Sequence, residues 1–378
     1  MSFQSPHHYL NRYLKTEIQH SLDRKMVFLS GPRQVGKTTL AKELLHTHDF
    51  YLNYDFPADK RFLLKHQLPG QKGLIILDEI HKMRGWRNLI KGYFDKFFPD
   101  LKILVTGSAR LDHYRKGGDS LQGRYRHFRL HPLSVKELNL SSTDELRKLL
   151  SRGGFPEPYF ADSAKESNIW RNDYFTRVFR EDISALENIR EISLLEQLMV
   201  RLPDLVGSPL SINSLREDLE VAHHTIDRWL NIFESCYVIY RLLPFGPPRI
   251  KAVKKERKHY HYDWSWVEDE GSRFENLVAS HLLKWIHFQH DVEGRLLELR
   301  FFRDQEGREV DFVIEERKKP ILFVECKLRN KQLHTGLRYL KRKFPQVRAV
   351  QVGLESDRLV VDDGIEFCNA VDFLRDFI

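Results

Sequence analysis

Gly31-Pro32-Arg33-Gln34-Val35-Gly36-Lys37-Thr38 has the G-x-x-x-x-G-K-[ST] spacing of a phosphate-binding loop. The preceding run, Met26-Val27-Phe28-Leu29, is apolar and short, as a buried strand requires, and Thr39 to Leu45 has the pattern of a helix. That strand-loop-helix context matters because successive backbone N–H groups and a helix start must converge on one anion. The pattern therefore assigns Gly31, Pro32, Arg33, Gln34, Val35, Gly36, Lys37, Thr38 and Thr39 to the phosphates of ATP. Lys37 reaches the β- and γ-phosphates and the Thr38 hydroxyl ligates Mg²⁺. A chance glycine-rich turn would need neither the strand nor the helix.

Further along, Leu74-Ile75-Ile76-Leu77 runs into Asp78-Glu79. An all-apolar strand suits a parallel sheet covered on both faces, and ligands bind at the C-terminal ends of such strands. Asp78 is thus expected beside Thr38, holding Mg²⁺, and Glu79 is expected to orient or deprotonate the attacking water. The next buried strand, Lys102 to Val105, leads into Thr106-Gly107-Ser108. Either hydroxyl would lie between the two acids and the γ-phosphate if this strand is central, with Ser108 the preferred sensor. Arg124, in Ser120-Leu121-Gln122-Gly123-Arg124, is the candidate arginine for transition-state charge, acting across a subunit boundary; pairing with a local carboxylate is the competing reading.

The remaining composition sets bounds. The 378 residues exceed one ordinary domain, and 41% hydrophobic with 30% charged residues is the balance of a globular chain. Lys and Arg number 61 against 53 acids, a net +8 that suits a nucleic-acid partner or simply a basic protein. Cys236, Cys326 and Cys368 are too scattered for a disulfide framework or zinc ribbon. Neither a leader-like N-terminus nor an apolar stretch of membrane-spanning length is evident, so a cytoplasmic location and no membrane partner are expected.

Taken together, GPRQVGKTTL, Leu77-Asp78-Glu79-Ile80-His81-Lys82 followed by Trp86, Val105 to Arg110, Ser120 to Arg124 with His131 to Ser134 and Glu137, and Gly153 to Glu157 resemble prokaryotic AAA+-type ATPases. Those carry a C-terminal domain of unknown function. The resemblance spans nearly the whole chain, with His81 where Gln would be expected, and the arrangement it usually implies is a homo-oligomeric ring, a monomer with an internally occluded nucleotide being the alternative. An α/β fold follows, with a P-loop NTPase parallel sheet bearing helices on both faces over residues 1–150. A helical and winged-helix middle is expected over 151–245, entered by a hinge at Gly153-Gly154.

In that middle, Ser211 and His223-His224-Thr225 look like N-caps of two short helices, and Cys236 to Arg241 like a wing strand. Asp227, Arg228 and Asn231 would lie on the recognition helix, although the acids Asp227 and Glu234 favour an architectural role. The basic segment Arg249, Lys251, Lys254, Lys255, Arg257, Lys258, interleaved with aromatics from Tyr260 onward, suits a phosphate backbone or an exposed linker equally.

Residues 246–378 present a helix carrying Glu275, strands carrying Asp311 and then Glu325-Cys326-Lys327, a further helix and a strand. This order resembles the restriction-endonuclease-like superfamily. Residues two apart on a strand share a face, which places Glu325 and Lys327 together, and Asp311 joins them if register permits. Glu275, Asp311 and Glu325 would hold Mg²⁺ while Lys327 activates water for attack on a phosphodiester. An ion-paired cluster without nuclease activity is the competing reading. Two functions follow: an ATPase acting on DNA or RNA through this site, or a nucleotide-controlled switch binding a protein partner.

Overall fold

The run Met26–Ser30 is a strand buried along its whole length, β1, between the helix Lys15–Leu22 (α1) and the phosphate-binding loop. The computed structural model describes residues 10–107, 121–183, 192–246, 256–329, 332–356 and 360–378. The chain divides into two compact units, Met1–His131 and Pro132–Ile378.

In the N-terminal unit the loop leads into α2 (Lys37–Lys42), and β2 (Phe50–Asn53), α3 (Pro57–Leu64), β3 (Gly73–Asp78), α4 (Trp86–Phe97), β4 (Leu101–Gly107) and β5 (Tyr125–Arg129) follow. The sheet order is β2-β3-β4-β1-β5, all parallel. Every residue of β1 is buried, as a strand covered on both faces must be. Met26 and Phe28 pack with Ile75, Leu77, Ile103 and Val105 against Trp86, Leu89 and Ile90 of α4. Helices α1 and α2 lie against β1, β3 and β4 as well. The condition set by the sequence holds: β4 sits between the loop strand and the acid-bearing strand.

The C-terminal unit begins with α5 (Thr143–Arg152), opened by a Ser142–Glu145 capping box, then α6 (Pro156–Phe160) and α7 (Ala164–Arg177), which continues as a π-helical stretch over Val178–Ile183. Next come α8 (Ile192–Arg201), β6 (Pro209–Leu210), α9 (Ile212–Asp218), α10 (His223–Ser235), β7 (Ile239–Pro244) and β8 (Arg257–His261). Antiparallel pairing of β8 with both β6 and β7 beside α9 and α10 gives the helix-strand-helix-helix-strand-strand order of a winged helix. Then follow α11 (Glu270–Asp291), β9 (Leu297–Arg303), β10 (Glu309–Glu316), β11 (Lys319–Arg329), α12 (Thr335–Lys343), β12 (Arg348–Glu355), β13 (Val360–Asp362), β14 (Ile365–Asn369) and α13 (Ala370–Arg375).

Parallel pairing of β7 with β9 fuses these parts into one mixed sheet of nine strands, ordered β13-β14-β12-β11-β10-β9-β7-β8-β6. The winged helix and the acid-bearing strands therefore share one sheet, across the boundary expected at 245. The compact division falls at His131/Pro132 and not at 150, because Lys284 of α11 donates to the Pro132 carbonyl and Ser134 Oγ and pairs with buried Glu137. Gly153 and Gly154 are packing positions. A Cβ on Gly153 would stand 2.4 Å from Asp263 Oδ1, and one on Gly154 2.5 Å from the Trp264 ring.

Candidate functional sites

At the C-terminal edge of the parallel sheet, Asp78 gathers three hydroxyls. Thr38 Oγ1 donates to Oδ2 at 2.9 Å, Tyr51 OH to Oδ2 at 2.7 Å, and Thr106 Oγ1 to Oδ1 at 2.5 Å. These residues meet because β3 and β4 align Asp78 with Thr106 while the loop delivers Thr38 from the strand beyond. Lys37 is buried, its ammonium folded onto the loop carbonyls of Gly31 (3.0 Å) and Pro32 (2.7 Å). The Gln34 side-chain oxygen is buried in the loop without a hydrogen-bond partner. Hard oxygen donors from Thr38 and Asp78 are the set Mg²⁺ prefers, and a nucleotide's phosphates would satisfy Lys37 and the loop amides, so the residues present fit Mg-ATP.

Glu79 takes a left-handed backbone conformation, φ 56°, at the turn directly after Asp78. Its carboxylate lies 3.3 Å from Lys82 Nζ and 3.6 Å from His81 Nε2, and burial lowers the His81 pKa. Of the two hydroxyls expected near the γ-phosphate, Thr106 bonds Asp78, and Ser108, the preferred sensor, lies outside the described residues. Arg124 is at the opposite end of the sheet from the loop, beside the first residue of β1, and is clamped by Asp95 at 2.6 Å. Within one subunit it cannot reach the phosphates.

One contributor escaped the sequence reading. Arg12 is buried, donating to the Val35 carbonyl at 2.7 Å and to the His131 carbonyl at 2.5 Å, so it props the phosphate-binding loop from beneath. Only helical spacing among its apolar neighbours was visible in the sequence, and a cation in such a pattern reads as solvated.

In the C-terminal unit the expected acids do converge, around an unexpected lysine. Against β9, strand β10 carries one extra residue between Val310 and Val313. This bulge leaves both valines in the same apolar cluster and re-aims the intervening Asp311. Asp311 Oδ2 accepts from Cys326 N at 2.8 Å, and Glu325 Oε2 accepts from Asp311 N at 3.3 Å. Glu325 Oε1 pairs with Lys327 Nζ at 2.5 Å and lies 3.3 Å from His334 Nδ1, a distance without hydrogen-bonding geometry.

On the other side, Lys258 Nζ stands 2.5 Å from Glu309 Oε1, 3.4 Å from Glu275 Oε1 and 4.0 Å from Asp311 Oδ1, with its side chain only 1% exposed. Tyr260, two residues on and hence on the same face of β8, donates to Glu275 Oε1 at 2.6 Å. Burial pushes the Glu275 carboxyl up to about 7, with Asp311 reinforcing the shift and Lys258 opposing it. Burial and Asp311 likewise raise Glu325 well above the ordinary range. Burial disfavours the Lys258 charge, but Glu275, Asp311 and Glu309 outweigh it and raise its pKa.

The structure thus assembles Glu275, Asp311, Glu325 and Lys327 and adds Glu309, Lys258 and Tyr260. As arranged the acids do not fit a divalent metal. Among the described residues no group of three or more His, Cys, Asp or Glu is placed to hold one. The cause is local: an ammonium stands among Glu275, Glu309 and Asp311.

The winged-helix polar face is also internally engaged. Buried Arg241 on β7 donates to Asp227 at 3.3 Å, Asn231 at 2.6 Å and Glu234 at 2.7 Å, tying down side chains expected on a recognition helix. Residues 249, 251, 254 and 255 of the basic segment lie outside the described residues, and Lys258 belongs to the cluster.

Comparison with known proteins matches the chain in three successive segments, the first ending at 139, eight residues beyond the compact division. Residues 23–139 match a family described as an AAA domain, so the N-terminal unit carries an AAA-type, P-loop ATPase-like domain. Residues 143–267 and 270–372 match two domains of unknown function, DUF8612 and DUF4143. More particularly, an uncharacterized protein of Mycobacterium tuberculosis is 26% identical over 308 residues, covering 79% of this chain and 69% of that protein. One of Haemophilus influenzae is 23% identical over 406 residues, covering 96% and 97%. A DNA polymerase III gamma subunit-related protein of Thermotoga maritima superposes with a TM-score of 0.27 at 10% identity, covering 59% of this chain and 96% of that one. Among the described residues no helix is long and apolar enough to cross a membrane.

Proposed function

We propose that this chain is a Mg²⁺-dependent ATPase that works as a nucleotide-controlled switch, its C-terminal unit presenting a surface to a protein partner or a second copy of the chain. The observation that carries the hydrolytic half is the convergence of Thr38, Tyr51 and Thr106 on Asp78 beside the phosphate-binding loop. In this reading Lys37 turns from the loop carbonyls to the β- and γ-phosphates, Thr38 and Asp78 hold the metal, and Glu79 orients the attacking water. Bound Mg²⁺ supplies charge neutralisation on the phosphates. Thr106 or Ser108 senses the γ-phosphate, and Arg124 serves only from a neighbouring subunit.

The switch reading of the C-terminal unit is favoured by its internal satisfaction: Arg241 occupies the polar face of α10, and Lys258 fills the acidic cluster. Hydrolysis is expected to be abolished by Lys37→Ala and to be indifferent to added DNA or RNA. Normal turnover in Lys37→Ala defeats the ATPase assignment, and strong stimulation by nucleic acid defeats the switch.

The second reading, an ATPase acting on nucleic acid through a restriction-endonuclease-like domain, is favoured by the meeting of Glu275, Asp311, Glu325 and Lys327 on the expected element order. It requires cleavage of plasmid or oligonucleotides in Mg²⁺ or Mn²⁺ that Asp311→Ala removes.

A further inference from the structure

Strand β8 belongs to the winged helix by its pairing with β6 and β7, yet it sends two side chains into the acids of the neighbouring strands. Lys258 and Tyr260 share a face of it and both end on Glu275 Oε1. The Glu275 Oε2 is backed by Gly207, where a Cβ would stand 2.9 Å away at a backbone φ of +79°. Asp311 Oδ2 and Glu325 Oε2 are taken by backbone N–H groups, and Glu325 Oε1 by Lys327. What remains pointing inward is Asp311 Oδ1 and Glu309 Oε1, and between these and Glu275 stands the Lys258 ammonium.

Burying an ammonium this completely is costly unless anions surround it, and burying this many carboxylates is equally costly without a cation. Each half of the arrangement requires the other. We propose that Lys258 is the resident cation of the Glu275–Glu309–Asp311 cluster, occupying the position a divalent metal would otherwise take and locking the winged helix to the acid-bearing strands. This rests on the reading of the cluster as an ion-paired element and is independent of ATP hydrolysis, whose failure would appear in the turnover assays and not here.

The test is Mn²⁺ binding by the full chain without nucleotide, followed by electron paramagnetic resonance. Wild type and Asp311→Asn are expected to give the same titration. A Mn²⁺ ion held by wild type and lost in Asp311→Asn overturns the proposal. Lys258→Met removes the charge while retaining most of the stem, and it is expected to gain a Mn²⁺ site at least about tenfold tighter than any in wild type. That site should vanish in the double variant Lys258→Met/Asp311→Asn. A folded Lys258→Met, judged by near-ultraviolet circular dichroism, with an unchanged titration also overturns it. Should Lys258→Met not fold, the wild-type and Asp311→Asn comparison decides alone.

Discussion

Gly31 shows how much of a phosphate-binding loop is set by close contact. Its φ is +149°, and a Cβ there would meet the Leu130 carbonyl oxygen at 2.3 Å, where the chain leaves β5. Leu130 cannot retreat easily because its own N–H is bonded to the Ser30 carbonyl at 2.8 Å. Gly31→Ala is therefore expected to cost about 3 kcal/mol or more in stability, combining backbone strain with an immovable overlap. Gly85 is the control: it also has positive φ, +80°, but nothing lies within 4 Å of its would-be Cβ. Urea denaturation of the two alanine variants should separate them, and equal losses would mean that conformation alone, not the Leu130 approach, dictates glycine at Gly31.

At the scale of elements, one side chain of β7, Arg241, gathers the polar side chains of α10. The Arg241 side chain is 3% exposed and reaches Asp227, Asn231 and Glu234, three successive contacts along the helix. Arg241→Leu keeps the apolar stem and the backbone N–H that donates to Glu234 but removes the guanidinium from Asp227, Asn231 and Glu234, so a loss of roughly 1–3 kcal/mol is expected, read by thermal melting. Arg241→Lys should recover little, since a single ammonium cannot reproduce the fork. Full stability in Arg241→Leu would free the polar face of α10 for a ligand and reopen the nucleic-acid reading. The helices themselves were legible: Ser211 was expected as an N-cap, and its Oγ accepts from Ser214 N at the start of α9. Local signals of that kind survive in the sequence because the cap and its helix are neighbours. The partner of Arg241 on β7 and the bulge that re-aims Asp311 depend on strand register, which no local pattern records. Lys258 was misread for the same reason, since a run of cations looks solvated until one strand pairing turns a member inward.

At the scale of the whole molecule, the two units differ in how their polar groups were legible. The strand-loop-helix and the acid-bearing strand of the N-terminal unit could be placed from the sequence because the loop's spacing is dictated by a phosphate chain, an external template, whereas Arg12 escaped that reading and Arg124 lies at the other end of the sheet. The C-terminal unit buries many polar groups, among them His259, His261 and His281, whose pKa values are all lowered by burial; His259 Nδ1 and His261 Nε2 have no hydrogen-bond partner, whereas His281 is bonded on both sides. His281 is the clearest case: its Nε2 accepts from Val135 N at 3.0 Å and its Nδ1 bonds the Leu277 carbonyl at 2.8 Å, so both nitrogens are used in the neutral form. Protonation would place a donor on Nε2 facing the donor Val135 N–H. With the folded pKa near about 4 against 6.5 unfolded, the unfolded chain binds more protons between those values. Stability from this ring is therefore complete above pH 6.5 and lost as pH falls toward 4, by on the order of 3 kcal/mol at the limit. Raised carboxyls such as Glu275 act in the opposite sense over an overlapping range, so the raw pH profile mixes both. A difference measurement isolates the histidine. His281→Gln can keep one donor and one acceptor but cannot titrate, so the stability advantage of wild type over it should be greatest near pH 7.5 and shrink steadily toward pH 4. A difference that stays constant across that range would mean that His281 takes up its proton at the same pH folded as unfolded, and that its Nε2 does not accept from the Val135 N–H.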